Sequence, residues 1–137
     1  SAVLNLSLAA RLTAGTCASP LSGDVVCRRE GVRPFLFDDR GETPADQLIP
    51  MGPMPGEKMV KATGDILLAE AEVLLQLGLT AEDFLRHRKV TSGTRRSYLA
   101  YPSSTAAALT SDCAIRVTFD LSAGSFATVL LAEIAAS

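Results

Sequence analysis

Leucines recur at every fourth position near the start of the chain, in the segment AVLNLSLAARL. Leu4, Leu8 and Leu12 fall on one side of a helix, because an α-helix repeats about every 3.6 residues. Gly15 follows soon after the last of these leucines, and glycine in this place is typical of a helix end. The pattern therefore predicts an amphipathic helix over the first turns of the chain.

Two short apolar runs follow Pro20. LSGDVVCRR and VRPFLFDD are rich in β-branched and aromatic residues, and the turn-prone REG separates them, so we interpret them as a hairpin. The segments DDRGETPADQ and IPMGPMPGE come next, and the second holds three prolines and two glycines in nine residues. Because proline removes a backbone donor and restricts the chain, we expect an irregular loop here.

The helical period returns in TGDILLAEAEVLLQLGL, which carries the clearest helix signal of the chain. Its apolar stripe consists of Ile66, Leu67, Ala71, Leu74 and Leu75. Thr63 or Asp65 can cap the start of this helix, and Gly78 can end it. In the next segment, TAEDFLRHRK, Thr80 stands three residues before Asp83, which predicts a second, short helix with its own cap.

Two further segments, RRSYLAYP and CAIRVTFDLS, are interpreted as strands. The second alternates large apolar residues with polar ones, and the apolar set is Ile115, Val117, Phe119 and Leu121. An almost wholly apolar helix is expected from about Ser125 to Ala135. This mixture of helices and strands indicates an α+β fold.

Composition and charge narrow the class of protein. Of 137 residues, 47% are hydrophobic and 20% charged, which excludes a disordered chain and is enough for one sizeable core or two small ones. Thirteen basic and fifteen acidic residues give a net charge of -2, so any basic site must be local. No segment is long enough to span a membrane, and we expect no membrane partner.

Cysteine and histidine usage indicates neither a disulfide framework nor a metal site. Cys17, Cys27 and Cys113 are an odd number at wide spacings, and His87 is the only histidine. We therefore expect no metal and a reducing intracellular compartment, either the cytoplasm or the nucleus. The chain begins at Ser1 and enters a helical pattern without a leader, which leads us to expect a piece of a longer protein.

A basic stretch, RHRKVTSGTRR, stands out in a chain that is acidic overall. Its cations are Arg86, Arg88, Lys89, Arg95 and Arg96. Such a stretch either binds phosphates or forms a solvated surface, and both interpretations stay open. Because SGT predicts a turn, Arg95 and Arg96 stand at the start of a strand and are the better candidates for phosphate contacts. The alternative is that they pair with carboxylates such as Glu133 or Asp120, whereas His87 is expected to be a surface residue.

The last helix opens with Gly124, Ser125 and Phe126. A helix that is apolar on both faces is usually buried, so Phe126 can be a core residue. Alternatively, Gly124 permits a tight turn, and the ring of Phe126 projects beyond the helix start to stack on a flat group. Glu133 on this apolar helix needs a hydrogen-bonding partner that the sequence does not identify.

Several of these segments resemble the TruD family of tRNA pseudouridine synthases, in the same order and at compatible spacing. The last block fits the family pattern Leu-Pro-x-Gly-Ser-Phe/Tyr-Ala-Thr and a following Arg-Glu, and the matching residues are Leu121, Gly124, Ser125, Phe126, Ala127, Thr128 and Glu133. Ser122 and Ala132 depart from it, because the family usually has Pro and Arg there. The middle blocks match at Gly52, Pro53, Gly56, Met59, Gly93, Thr94, Arg95 and Arg96. The first helix and GDVV match more loosely, through Asn5, Leu8 and Arg11.

The resemblance implies an α+β fold of two parts. Residues 1–100 would be part of the family's TRUD insertion domain, and residues 101–137 the C-terminal strand and helix of the catalytic domain. It implies that Phe126, with Gly124 and Ser125, binds the target uridine by stacking, and that Arg95 and Arg96 contact RNA, with tRNA as the expected substrate.

The resemblance also implies what this chain lacks. The family's nucleophilic aspartate lies in an upstream block that has no counterpart here, so no catalytic residue is assigned and this chain alone is expected to be inactive. The family uses no metal and no organic cofactor. A sheet separated from its other strands has an open edge, so we expect CAIRVTFDLS to pair with another chain or with a non-native neighbour.

Two other functions stay open. A stand-alone RNA-binding or scaffold module would keep the fold and lose the chemistry, and the departures at Ser122 and Ala132 favour it. A structural domain that does not bind RNA would be favoured if neither Arg95 nor Phe126 were exposed.

Overall fold

The structure, a computed structural model, describes residues 2–86, 92–121 and 125–136. The chain divides into two compact units, Ser1–Leu99 and Ala100–Ser137. This boundary falls beside residue 100, but the assignment of the two parts to two family domains stays a prediction. Helices occur together with antiparallel strands, which confirms the α+β fold class.

The first unit contains three helices, α1 (Ala2–Ala14), α2 (Gly64–Gln76) and α3 (Ala81–Arg86). The first two end where a glycine predicts. After α1, Gly15 adopts a φ of 70°, and the amide of Thr16 donates to the carbonyl of Arg11 at 2.9 Å. Because this bond satisfies a carbonyl that the helix leaves unpaired, it stabilises the helix end. The same arrangement at Gly78 ends α2.

Helix α3 begins with the predicted cap. The carboxylate of Asp83 accepts a hydrogen bond from the backbone amide of Thr80 at 2.7 Å, and the Asp83 amide donates to the Thr80 carbonyl at 3.1 Å. The basic residues that follow, from His87 to Lys89, lie outside the described residues. None of the described helices is long and apolar enough to cross a membrane.

Four strands of the first unit form one antiparallel sheet in the order β2-β1-β3-β4. The strands are β1 (Val25–Arg28), β2 (Phe35–Leu36), β3 (Leu48–Met54) and β4 (Thr94–Ser97). Val25 lies opposite Leu36, so β1 and β2 form the predicted hairpin. Strand β4 is the first part of the predicted strand RRSYLAYP.

The main hydrophobic cluster lies on one face of this sheet. Alternate side chains of β1 and β3 meet there with a residue that precedes α2, and the cluster consists of Val25, Cys27, Ile49, Met51 and Ala62. Val60, Ile66 and Leu99 pack against it, so the start of α2 helps to cover the cluster. Burial of each large aliphatic side chain contributes about 1.5–3 kcal/mol, which makes this cluster a main source of stability.

The prediction of an irregular loop over IPMGPMPGE is wrong, because most of this segment forms β3, an inner strand of the sheet. Its two prolines fit because each lies where one neighbouring strand has ended. Pro50 faces β4 through its carbonyl, which accepts from the amide of Tyr98 at 3.0 Å, one residue beyond the end of β4. Pro53 faces β1, the neighbour on the other side. The register between β1 and β3 would place Gly23 opposite Pro53, but β1 begins only at Val25. Neither missing N–H interrupts a ladder.

Two glycine backbones touch where the chain leaves β3 and approaches β4. A Cβ added to Gly93 would lie 2.5 Å from the Cα of Gly56, and one added to Gly56 would lie 2.2 Å from the amide nitrogen of Gly93. Next to this contact, the amide of Lys58 donates to the carbonyl of Ser92 at 2.7 Å. Only glycine permits this approach, because any side chain would overlap the other backbone.

The second unit contains a two-stranded antiparallel sheet and one helix. Its elements are β5 (Ser103–Leu109), β6 (Ile115–Asp120) and α4 (Ala127–Ala136). The pattern predicts β6 and α4 but not β5, because SSTAAAL has no large alternating side chains. Strand β6 pairs with β5, and the expected pairing with another chain stays a prediction. No residue of these three elements is buried, so the unit as described has no core of its own.

We predict that Gly93→Ala destabilises the first unit more than Gly15→Ala. Both glycines have a positive φ, 81° and 70°, so alanine at either position costs about 1 kcal/mol in backbone strain. Only at Gly93 would the new Cβ also overlap a backbone, whereas nothing lies within 4 Å at Gly15. Urea denaturation should show a loss of about 3 kcal/mol for Gly93→Ala. Equal losses for the two variants would contradict the close contact.

Candidate functional site

Strands β3 and β4 bring two motif segments side by side that are far apart in the sequence. Gly52 lies opposite Arg96, and Pro53 lies opposite Arg95. The contact between Gly56 and Gly93 continues this pairing beyond the strand ends. The residues that carry the family resemblance in the middle of the chain therefore converge on one part of the sheet.

The side chain of Arg95 is buried, with 5% of the residue exposed. Its Nη1 and Nη2 donate to the two carboxylate oxygens of Glu70 in α2, at 2.5 and 3.0 Å. Its Nε donates to the carbonyl of Val60 at 2.8 Å. This two-point geometry is the strongest form of an arginine–carboxylate pair, and it satisfies each nitrogen of the guanidinium group.

The burial of Arg95 separates its two proposed roles. It pairs with a carboxylate, as one interpretation expects, but the partner is Glu70 and neither Glu133 nor Asp120. A guanidinium group that faces the interior cannot reach a phosphate without breaking this pair. The geometry therefore supports a structural role, in which Arg95 fixes β4 against α2.

Arg96 differs from Arg95 because successive side chains of a strand point to opposite faces. It is exposed, and it lies opposite Gly52, which has no side chain to cover it. Of the two arginines predicted to contact RNA, only Arg96 therefore presents its guanidinium group to the surroundings.

A second arginine–carboxylate pair joins α1 to the start of β1. Arg11 donates from Nη1 and Nη2 to both oxygens of Asp24, at 2.8 and 2.9 Å, and from Nε to the carbonyl of Thr16 at 3.0 Å. Asp24 is buried and also accepts from the amide of Leu21 at 2.8 Å. In the sequence, Arg11 and the segment GDVV stand out only as parts of the resemblance, and no pattern predicts that they pair.

Tyr98 packs between this second pair and β3. The guanidinium carbon of Arg11 lies 5.6 Å from the centre of the Tyr98 ring. The ring occupies the space that a side chain at position 52 would need, because a Cβ on Gly52 would lie 2.4 Å from Cε1 of Tyr98. Burial, and secondarily the negative charge of Glu70, raises the pKa of Tyr98 to about 12, although the charge of Arg11 opposes this shift.

Phe126 lies in the second unit, directly before α4. Its side chain is 70% exposed, and its carbonyl accepts a hydrogen bond from the amide of Val129 at 3.1 Å, so it stands at the helix start. Ser125 is partly buried, whereas Gly124 and Ser122 lie outside the described residues. The ring does not form part of a core in the described unit, and its stacking role stays a prediction.

The described residues contain no group of three or more His, Cys, Asp or Glu side chains that could hold a metal ion. Each unit exposes one of the predicted site residues, Arg96 in the first unit and Phe126 in the second. An exposed guanidinium group can bind a phosphate by charge, and an exposed aromatic ring can stack on a base.

We predict that Glu70→Gln strongly destabilises the chain, because it leaves the charge of Arg95 buried without a carboxylate. The expected loss is about 3 kcal/mol in the free energy of unfolding, measured by urea denaturation. The double variant Glu70→Leu/Arg95→Met removes both charges and should recover most of this loss. Glu72→Gln, an exposed change on the same helix, is the matched control. Similar stabilities of the two Gln variants would show that the pair contributes little.

Because folding raises the pKa of Tyr98, we predict a loss of stability at alkaline pH. An exposed tyrosine has a pKa of about 10, so between about pH 10 and about pH 12 the unfolded chain loses this proton while the folded chain keeps it. The stabilisation that Tyr98 provides is complete below about pH 10 and disappears as the pH approaches about 12. Unfolding midpoints measured across this interval should fall more steeply for the wild type than for Tyr98→Phe. Absorbance of the phenolate gives the pKa directly, and a folded-state value near 10 would contradict the prediction.

Comparison with known proteins connects this arrangement to one family. The family profile described as tRNA pseudouridine synthase D (TruD) matches residues 1–134. A tRNA pseudouridine synthase D from Anaeromyxobacter sp. (strain Fw109-5) is 32% identical over 96% of this chain and 38% of the relative. Another, from Pseudoalteromonas atlantica, is 30% identical over 96% of this chain and 38% of the relative. The chain thus spans about two fifths of the length of these curated relatives.

The fold agrees with this sequence match. A crystal structure of a protein from Methanosarcina mazei, assigned to tRNA pseudouridine synthase D (TruD), superposes with a TM-score of 0.70 at 24% identity, over 96% of this chain and 35% of the other. At this identity the structural comparison concerns the fold alone. The profile match extends over both units, from the α1 segment to the helix that follows Phe126, and the chain therefore belongs to the TruD family.

Proposed function

We propose that this chain is the C-terminal part of a longer tRNA pseudouridine synthase, which converts a uridine of tRNA to pseudouridine inside the cell. The observation that carries the proposal is the family profile match over residues 1–134. The relatives named tRNA pseudouridine synthase D are more than twice as long as the matched region, which leaves room for the nucleophilic aspartate in a segment outside this chain. No residue of this chain is assigned to the chemical step, so the chain alone is inactive.

Residues 1–100 are proposed as part of the RNA-binding insertion domain, and residues 101–137 as the end of the catalytic domain. The boundary between the compact units, after Leu99, supports this division. The second unit buries no residue of its strands or helix and exposes large apolar side chains such as Leu109 and Ile115. These side chains need an apolar surface that the remaining segment of a catalytic domain would provide, and the free edge of β6 would pair there.

Phe126 is proposed to stack on the target base, next to Ser125 and Gly124. The uridine must be detached, rotated and rejoined through carbon, so it has to leave its helix. An exposed aromatic ring at a helix start offers a flat surface for it, and such stacking contributes about 1–3 kcal/mol. Phe126 holds the base and takes no part in bond making.

Arg96, and not Arg95, is proposed as the phosphate contact. The exposed guanidinium group of Arg96 can pair with an RNA phosphate without losing another partner. Arg95 supports this contact indirectly, because its pair with Glu70 holds the strand that carries Arg96. Arg95 is thus proposed to stabilise the fold, and Arg96 to bind RNA.

A stand-alone RNA-binding module is the second candidate. The observation that favours it is the presence of Ser122 and Ala132 where the family usually has Pro and Arg. The two candidates differ in one respect that an experiment can decide, which is whether pseudouridine is formed.

We predict that Phe126→Ala in the full-length protein lowers the rate of pseudouridine formation on bulk tRNA about tenfold to a hundredfold, because the target base loses the aromatic ring on which it stacks. Phe126→Tyr keeps an aromatic ring and should retain most of the activity. Val129→Ala shortens a similarly exposed side chain of α4 and is the matched control. Circular dichroism establishes that each variant is folded.

Three results would change the proposal. Full activity of Phe126→Ala would show that Phe126 does not stack on the target base and would favour a packing role for its side chain. A wild-type protein that forms no pseudouridine but binds RNA through Arg96 would favour the binding module. A protein that neither modifies nor binds RNA would contradict both candidates.

A further inference from the structure

An open groove of about 730 Å³ lies beside the turn between β1 and β2. Its lining includes Arg28, Arg29, Glu30, Glu42 and Gln47. Two backbone hydrogen bonds stabilise the segments that line it. The amide of Gly31 donates to the carbonyl of Arg28 at 2.9 Å, and the amide of Arg29 donates to the carbonyl of Gln47 at 3.1 Å. We call this surface the turn groove. Its lining contains none of Arg11, Arg95 and Arg96.

The turn groove carries charges of both signs, and Arg28, Glu30 and Glu42 do not neutralise one another. Within the described residues, the guanidinium group of Arg28 and the carboxylates of Glu30 and Glu42 take part in no ion pair, although they line the same groove. All three residues are exposed. Their donors and acceptors are therefore directed at solvent. A ligand that combines an anionic group with N–H donors would satisfy both.

We propose that the turn groove binds one nucleotide of the RNA other than the target uridine. This inference rests on the proposed function, because RNA is the ligand that the family would bring to this surface. Arg28 holds the phosphate through charge-assisted hydrogen bonds. The carboxylates of Glu30 and Glu42 accept hydrogen bonds from the edge of the base. A volume of about 730 Å³ is large enough for a nucleotide.

The carboxylates also determine which bases fit. A carboxylate only accepts hydrogen bonds, so it favours cytosine, adenine and guanine, which carry an exocyclic amino group. Uracil presents a single N–H between two carbonyl oxygens, and these oxygens would face the negative charge. The turn groove therefore prefers an amino-bearing base to uracil, which distinguishes it from a site for the target uridine.

The test titrates the full-length protein with CMP and with UMP and follows its backbone amides by NMR. CMP should shift the amides around Arg28–Gly31 and Glu42–Gln47, with an affinity about tenfold higher than that of UMP. Arg28→Ala should abolish these shifts. Exchange of both carboxylates for amides, in Glu30→Gln/Glu42→Gln, should remove the preference for CMP, because an amide both donates and accepts. Arg40→Ala, an exposed arginine outside the groove, should change neither result.

A second measurement uses single-stranded oligo(C) and oligo(U) RNA and fluorescence anisotropy. The wild type should bind oligo(C) more tightly, and Arg28→Ala should lower the slope of log K against log salt by about 0.7, as expected for one lost phosphate contact on a single strand. Arg96→Ala should weaken both oligonucleotides equally, because it affects a phosphate contact without base recognition.

The two measurements separate failure of this inference from failure of the proposed function. RNA binding that depends on Arg96 but not on Arg28, with no amide shifts at the groove, would overturn the groove as a nucleotide site and leave the proposed function intact. Equal affinities for CMP and UMP would overturn the role of the carboxylates. Absence of binding to both the mononucleotides and the oligonucleotides would overturn the groove and the RNA contact of Arg96 together.

Discussion

The buried ion pair between Arg95 and Glu70 ties α2 to β4, and the rest of the first unit depends on that connection. A charge in the interior is costly unless it is paired and hydrogen-bonded, and here both carboxylate oxygens and the carbonyl of Val60 satisfy the guanidinium group. Successive side chains of a strand alternate between the two faces of the sheet, so Arg96 lies on the face opposite to Arg95, where it is exposed. The pair thus makes Arg95 unavailable for binding, whereas its neighbour Arg96 is exposed.

The second pair, Arg11 with Asp24, has the same role where α1 meets β1. Tyr98 lies next to it and fills the space above Gly52, so a single residue beyond β4 connects the helix, the strand and the ion pair. Arg11, Gly52 and Arg95 all belong to the segments that resemble the TruD family. In this structure all three residues take part in the packing of helices against the sheet. A resemblance in sequence therefore does not by itself distinguish a residue that binds RNA from one that stabilises the fold.

The sequence predicts those features that local chemistry determines. Helices that end at Gly15 and Gly78 and the hairpin of β1 and β2 follow from short-range patterns, and all are confirmed. Strand β3 is missed because two prolines usually break a strand, and only the register of its neighbours explains how they fit. The partner of Arg95 is missed for a similar reason, since Glu70 is 25 residues away and nothing in the sequence distinguishes Arg95 from Arg96.

The charge balance of the chain also bears on how it would recognise RNA. With a net charge of -2 this chain has no excess of positive charge to attract a polyanion, so RNA binding by this chain would depend on individually placed groups. An exposed arginine beside a small residue, an exposed aromatic ring at a helix start and a groove with unpaired charges are such groups. In the proposed function each would satisfy a particular part of a nucleotide, namely phosphate, base face or base edge. A protein that binds in this way would gain its affinity from contacts with defined geometry, which suits the selection of one position in a folded RNA rather than the coating of it.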